Sequence, residues 1–272
     1  MSTHQTAKTQ YASTDRGTRY AYRRLGTGFG TPLLILTHFR GVMDKFDPLL
    51  VNTLAATRSV ILVDYAGAGL SLPGEVAMTV KQSADDIIEF LGMIQEAEVD
   101  ILGFSLGGMV AQLVALNADP AVLKIRKLIL AGTQSSGGEG VLQSPNAEDV
   151  NLHAGAKDIT IETFQTLFFP KIKEGKVASE QWWARIHERS ALTSGEEGEP
   201  ATWLSNGYLD GAVGLQAQSA QLASFGNPET SQGLEGSLLR LGELRMPVLV
   251  ANGHVSSAVW SQSRPSTPYT TE

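Results

Sequence analysis

One serine in the sequence has the neighbours that a catalytic nucleophile needs. Ser105 lies at the centre of Gly103-Phe-Ser-Leu-Gly107, a G-x-S-x-G pattern. The apolar run Val99–Leu102 before it predicts a buried strand, and the Ala-rich apolar run after it predicts a helix. A sharp strand-to-helix turn exposes the serine hydroxyl, and the helix N-terminus directs backbone N–H groups at a nearby oxyanion. This pattern therefore predicts acyl-transfer chemistry at Ser105.

The two glycines of the pattern have a steric explanation. We expect Ser105 to have a strained backbone, and side chains at Gly103 and Gly107 would collide where the helix crosses the strand.

The composition narrows the classes of partner. The chain has 272 residues, a net charge of −7 and no cysteine. The negative charge argues against nucleic acid or anionic membranes as partners, and the lack of cysteine excludes disulfides and thiolate nucleophiles. Neither an apolar run of membrane-spanning length nor an H-x-H or H-E-x-x-H metal motif is present. We expect a cytoplasmic monomer or homodimer that takes a small-molecule substrate and needs no metal or cofactor.

The elements around Ser105 alternate between strands and helices. Residues 10–25 predict a β-hairpin, residues 47–56 a helix capped by Asp47, and residues 79–96 a second helix. The apolar strands are predicted at Leu33–Leu36, Val60–Val63, Val99–Leu102, Lys127–Leu130 and Pro247–Ala251. This order is typical of an α/β fold with a mostly parallel sheet and helices on both faces. Residues 1–8 are polar and are expected to fray.

The later part of the chain changes in character. We interpret residues 1–134 as the first part of an α/β core, 135–240 as a helical cap and 241–253 as the last core strand. In residues 254–272, ten of nineteen are Ser, Thr or Pro, which predicts a disordered tail.

Three motifs together resemble the α/β-hydrolase superfamily. They are the Ser105 pattern, the loop from Asp64 to Ser71, and Thr37-His-Phe-Arg-Gly41 after the first buried strand. The resemblance is to the branch with a helical cap, which includes esterases, C–C bond hydrolases and cofactor-free haloperoxidase-like proteins. It implies the α/β-hydrolase fold, a mostly parallel sheet flanked by helices with a helical cap insertion. The family's loop has arginine where this chain has Ala66.

The resemblance also implies roles for individual residues. Ser105 would attack an acyl carbonyl, and the N–H groups of Leu106 and Phe39 would hold the oxyanion. A shifted alignment of the Thr37–Gly41 loop gives the second role to Arg40, and we prefer Phe39. Phe168 and Trp183 of the cap would line an apolar substrate pocket, although packing between cap and core also explains such aromatics.

The other members of a catalytic triad are missing from their usual places. The family's order is serine, acid, histidine, but no carboxylate follows Gly253 until Glu272. The alternative acid position, directly after the strand ending at Leu130, reads Ala-Gly-Thr-Gln-Ser-Ser and also has no carboxylate. His254 is the candidate base, because it lies on the loop expected to face Ser105. The alternative is an ordinary loop histidine. We expect His38, His153 and His187 to have packing or surface roles.

These observations leave several functions open. The first is a serine hydrolase acting on a carboxylic ester, lactone or related acyl bond of a small apolar molecule, by analogy in secondary metabolism. The second is a catalytically impaired or non-catalytic small-molecule binder of the same fold. The third is a truncated or mis-spliced version of an active enzyme, suggested by the abrupt change after Gly253.

Overall fold

The structure is a computed structural model that describes residues 2–26, 30–72, 75–141, 155–189, 203 and 213–252. Its strands are β1 Gln10–Ser13, β2 Arg19–Leu25, β3 Leu33–Leu36, β4 Val60–Val63, β5 Glu98–Phe104, β6 Lys124–Ala131 and β7 Val248–Ala251. Its α-helices are α1 Pro48–Ala55, α2 Val80–Met93, α3 Leu106–Asn117, α4 Ile161–Phe168, α5 Lys173–Arg185 and α6 Val213–Gly226.

The strands form one sheet in the order β1-β2-β4-β3-β5-β6-β7. The β1–β2 and β2–β4 pairs are antiparallel, and every later pair is parallel. The predicted hairpin and the predicted mostly parallel α/β sheet are confirmed. Parallel neighbours carry their C-terminal ends to the same edge, so the loops after β3 and β5 lie side by side.

Alternate residues of the central strands pack on opposite faces of the sheet. In β3, Leu34 and Leu36 join the apolar core that contains α2 and α3, whereas Leu33 and Ile35 join the core that contains α1. Both faces are therefore covered by helices, which explains why this strand reads as a continuous apolar run.

Helix boundaries follow local capping chemistry. The Asp47 side chain accepts a hydrogen bond from the Leu49 N–H, with Pro48 at the first helical position. At α2, Thr79 and Gln82 form a reciprocal capping box. The helix predicted over residues 79–96 is therefore confirmed, and it ends at Met93.

The segment between β6 and β7 contains α4, α5 and α6, in keeping with a helical insertion. The domain limits at residues 134, 240 and 253 stay predictions, and the expected tail at 254–272 lies outside the described residues. β7 pairs with β6 at the edge of the sheet, but its side chains are exposed, so it is not the buried strand that its apolar sequence suggests.

The expectation that residues 1–8 fray is wrong for the part that is described. His4 and Ala7 are buried. The His4 N–H donates to Asn52 Oδ1 at 2.7 Å, and the His4 ring Nε2 donates to the Met43 carbonyl at 2.8 Å. Burial lowers the pKa of His4 to about 4, so its ring is neutral. Long-range hydrogen bonds hold this polar segment, and its composition does not reveal them.

A buried cluster of charges fixes this N-terminal segment to the core and to the segment after α5. Asp44 Oδ1 lies 2.5 Å from Arg23 Nη1 and 3.2 Å from Arg189 Nε, and all three side chains are almost fully buried. Arg189 also donates to the His4 and Gln5 carbonyls, both at 3.1 Å.

We expect Asp44→Ala to lower the free energy of unfolding by about 3 to 5 kcal/mol, because two buried guanidinium groups lose their counter-charge. Urea unfolding measures this change. Asp85→Ala is the matched control: it removes an exposed ion pair with Lys81 and should cost no more than about 0.5 kcal/mol. Equal losses in the two variants would contradict this account of the cluster.

Candidate active site

Ser105 is the single residue between β5 and α3, and its backbone is in a rarely populated region. Its φ is 54° and its ψ is −118°. Its N–H donates to the Ala131 carbonyl at 3.0 Å, and its carbonyl accepts from Thr133 Oγ1 at 2.7 Å. These contacts with the end of β6 and the loop after it hold the turn. The side chain is half-buried, and its hydroxyl makes no hydrogen bond to any residue in the described ranges.

The glycines on either side of Ser105 make close approaches that a side chain would block. A Cβ at Gly103 would lie 2.3 Å from the Gly107 carbonyl oxygen, as expected where the helix crosses the strand. A Cβ at Gly107 would lie 2.3 Å from the Leu36 carbonyl oxygen instead. Gly107 is therefore required by contact with the end of β3, which is a different reason from the predicted one. This contact joins the serine turn directly to the loop after β3.

The predicted oxyanion donors lie on these two adjoining segments. Leu106 is the first residue of α3, so its N–H has no acceptor within the helix. The Phe39 N–H likewise makes no hydrogen bond to a described residue. The Arg40 N–H, the alternative donor, is already engaged by Gln218 Oε1 of α6 at 2.6 Å. This arrangement favours Phe39, and the sequence gives no signal for the part played by Gln218.

The Gly-rich loop after β4 is ordered by its own aspartate. Asp64 is fully buried and accepts hydrogen bonds from the N–H groups of Met43 at 2.7 Å and Leu70 at 2.9 Å. The Ser71 hydroxyl donates to the Asp64 carbonyl at 2.8 Å. Asp64 therefore fixes the conformation of two loops, in keeping with a structural role for this motif.

Burial, reinforced by the charge of Asp44, raises the pKa of Asp64 from 3.8 to about 7. Between pH 3.8 and 7 the folded chain binds more protons than the unfolded chain. Protonation of Asp64 therefore stabilises the folded state; this contribution is complete below pH 3.8 and is lost as the pH rises through 7. We expect the free energy of unfolding to fall over that window, by at most about 1.4 kcal/mol per pH unit from this group. Urea titrations from pH 4 to pH 8 measure it. The slope should be smaller in Asp64→Asn, and parallel profiles would contradict this assignment.

Aromatic side chains of the segment between β6 and β7 reach the serine turn. Phe168 packs against Phe104, the residue before Ser105, with ring centroids 5.9 Å apart and the rings tilted by 58°. The Trp183 ring instead contacts Phe164 at 6.0 Å and His187 at 4.7 Å. The structure thus brings Phe168 next to the turn, whereas the ring contacts that Trp183 makes with described residues are all within the segment between β6 and β7.

The chain also matches a known family along most of its length. The model of the alpha/beta hydrolase family aligns with residues 17–264. This chain belongs to the alpha/beta hydrolase family. An alpha/beta hydrolase fold protein from Chitinophaga pinensis has a similar structure, with a TM-score of 0.71 and 26% identity over 92% of this chain and 90% of that one.

Two curated relatives match shorter stretches. The sn-1-specific diacylglycerol lipase ABHD11 of Danio rerio is 26% identical over 226 residues, which is 80% of this chain and 64% of the lipase. The acetyltransferase component of the acetoin cleaving system of Cupriavidus necator is 31% identical over 116 residues, 43% of this chain and 30% of that protein. The chain therefore spans less than two thirds of the length of either relative.

A complete hydrolase triad is not assembled within the described ranges. Ser105 there has no hydrogen bond to a histidine, and His187 instead donates from Nδ1 to the Trp183 carbonyl at 2.7 Å. His254, the predicted base, lies outside the described residues, as does His153. No group of three His, Asp or Glu side chains suited to a metal occurs in the described part, and none of its helices is long and apolar enough to cross a membrane.

Proposed function

We propose that this alpha/beta hydrolase family member is a serine hydrolase that cleaves a carboxylic ester, lactone or related acyl bond of a small apolar molecule. The observation that carries the proposal is the strained backbone of Ser105, which has a φ of 54° between a buried strand and a helix N-terminus. Its hydroxyl makes no hydrogen bond to a described residue. Such strain at a serine is typical of a nucleophile held ready for attack.

The proposed reaction follows from the groups around this hydroxyl. Ser105 Oγ attacks the acyl carbonyl, the acyl C–O bond breaks, and the alcohol leaves with the proton taken from the serine, which gives a covalent acyl-enzyme. Water then attacks the acyl-enzyme, releasing the carboxylic acid and restoring the serine hydroxyl. The Leu106 and Phe39 N–H groups stabilise the oxyanion, where loss of one donor typically costs about 3 kcal/mol. His254 takes the serine proton in this proposal, because an unassisted serine hydroxyl is a weak nucleophile.

The apolar character of the substrate rests on the aromatic cluster. Phe164, Phe168 and Trp203 pack together beside Phe104, the neighbour of Ser105. Aromatic walls with few polar groups are typical of pockets for small apolar ligands.

Phe168→Ala should raise KM for 4-nitrophenyl octanoate by about tenfold, because the acyl chain loses an apolar wall next to Ser105. Steady-state kinetics with octanoate and acetate esters test this, and the acetate ester should respond less. Trp183→Ala is the matched control, since its ring contacts lie within the segment between β6 and β7. Equal effects of the two substitutions would remove Phe168 from the pocket.

The experiment for the function itself is turnover of a panel of 4-nitrophenyl esters and γ-lactones by the purified protein. Saturable hydrolysis is the expected result. The alternative of a non-catalytic binder is supported if no substrate is hydrolysed while apolar esters quench the tryptophan fluorescence saturably.

A further inference from the structure

His38 lies two residues beyond β3, where its ring faces the aromatic cluster. Its centroid is 5.4 Å from that of Phe104, 6.1 Å from that of Phe164 and 5.5 Å from that of Trp203.

The tautomer of His38 follows from one hydrogen bond. Its Nδ1 lies 2.8 Å from the Phe39 carbonyl oxygen, and because a carbonyl only accepts, Nδ1 carries the proton. Burial lowers the pKa of the ring to about 4, although the Phe39 carbonyl favours the charged form. The neutral ring therefore has a bare lone pair on Nε2, which makes no hydrogen bond to any described residue.

The ring is also held in place by its own turn. A Cβ at Gly41 would lie 3.0 Å from both Nε2 and Cε1 of His38, so the ring packs closely over this glycine. The Gly41 N–H donates to the His38 carbonyl at 2.9 Å and closes the turn. A ring fixed in this way presents its acceptor with little further loss of conformational entropy.

The neighbouring ring carries an unpaired donor. Trp203 is 7% exposed, and its buried Nε1–H has no hydrogen-bond partner among the described residues. A buried N–H without an acceptor has given up its hydrogen bond to water and gained none in return, so an acceptor placed here would be favourable. The His38 and Trp203 rings, with centroids 5.5 Å apart, therefore bring together one acceptor and one donor that no described residue engages.

We propose that His38 and Trp203 form a subsite for a hydroxyl group of the substrate, so that the preferred substrates are hydroxylated acyl compounds. A hydroxyl accepts one hydrogen bond and donates another. It can therefore accept from Trp203 Nε1 and donate to His38 Nε2. This inference rests on the proposed hydrolase function and specifies its substrate class.

The test compares 4-nitrophenyl butanoate with its 2-hydroxy and 3-hydroxy derivatives. At least one hydroxylated ester should have a kcat/KM about tenfold above that of the plain ester, the value of one to two hydrogen bonds. His38→Asn keeps a donor to the Phe39 carbonyl but lacks an acceptor at Nε2, and Trp203→Phe keeps a ring but lacks the donor. Both substitutions should bring the ratio of kcat/KM for the hydroxylated ester to kcat/KM for the plain ester close to one. His38→Gln restores an acceptor near the Nε2 position and should retain part of the preference for the hydroxylated ester.

Three results would overturn the proposal. They are a ratio of one in the unsubstituted protein, a ratio unchanged in both His38→Asn and Trp203→Phe, and loss of all turnover in His38→Gln, which would make His38 the base instead. If no ester is hydrolysed, the proposed function fails by itself. Binding titrations with methyl 3-hydroxybutanoate and methyl butanoate then test the subsite separately. The hydroxylated ester should bind with a Kd about tenfold lower, and equal Kd values would contradict the subsite.

Discussion

Ser105→Ala should reduce kcat/KM toward a short 4-nitrophenyl ester by at least about 10⁴-fold, because removal of the nucleophile from a serine hydrolase eliminates nearly all of its covalent catalysis. Steady-state hydrolysis of the butanoate ester measures the loss. The fold should be unaffected, since the Ser105 hydroxyl makes no hydrogen bond to any residue in the described ranges.

The control for this substitution is Ser219→Ala in α6. Ser219 is exposed, and among the described residues its hydroxyl bonds only to the Leu215 carbonyl of its own helix, at 2.9 Å. Its removal should leave kcat/KM within about twofold, as for most surface substitutions. Equal turnover in Ser105→Ala and the unsubstituted protein would mean that hydrolysis takes place elsewhere.

His254→Ala should cause a loss of similar size, at least about 10⁴-fold in kcat, because a serine and its base act as one unit. A partial rescue by added imidazole would identify the missing group as a base. Hydrolysis by the variant, with and without imidazole, gives the measurement.

His187→Ala is the comparison for His254→Ala. His187 is exposed and bonds to the carbonyl of Trp183 four residues earlier. This substitution should change kcat by less than about twofold. Unchanged turnover in His254→Ala would remove His254 from the mechanism and leave the base unassigned.

The serine turn could be predicted from the sequence because its requirements are local. Gly103 and Ser105 lie within one strand–turn–helix unit, and the pattern dictates both the strained backbone and the close approach. The strands and capped helices can be predicted equally well, since their sequence signals lie within about ten neighbouring residues. The fold class follows from the order of these local units.

Contacts between residues that are far apart in the sequence cannot be predicted from such local patterns. The burial of His4 depends on Asn52 and on Arg189, a residue nearly the whole chain away. The Arg23–Asp44–Arg189 cluster has no pattern in the sequence, because ion pairs form between whichever charges the fold brings together. The composition of this polar N-terminal segment therefore predicts fraying, although the fold buries His4 and Ala7.

The candidate site shows the same division. The positions of Ser105 and Leu106 follow from the turn, whereas the engagement of the Arg40 N–H by Gln218 requires α6 to reach the loop after β3. The pairing of His38 with Trp203 likewise depends on the path of the segment between β6 and β7. Roles that depend on a single long-range neighbour need the three-dimensional structure.

The most direct test of the central claim is labelling with a fluorophosphonate probe, which reacts covalently with activated serines. Intact-protein mass spectrometry and peptide mapping should find one adduct per chain on the peptide that contains Ser105, and no adduct in Ser105→Ala. Absence of labelling in the unsubstituted protein, or an adduct that persists in Ser105→Ala, would contradict the assignment of Ser105 as an activated nucleophile.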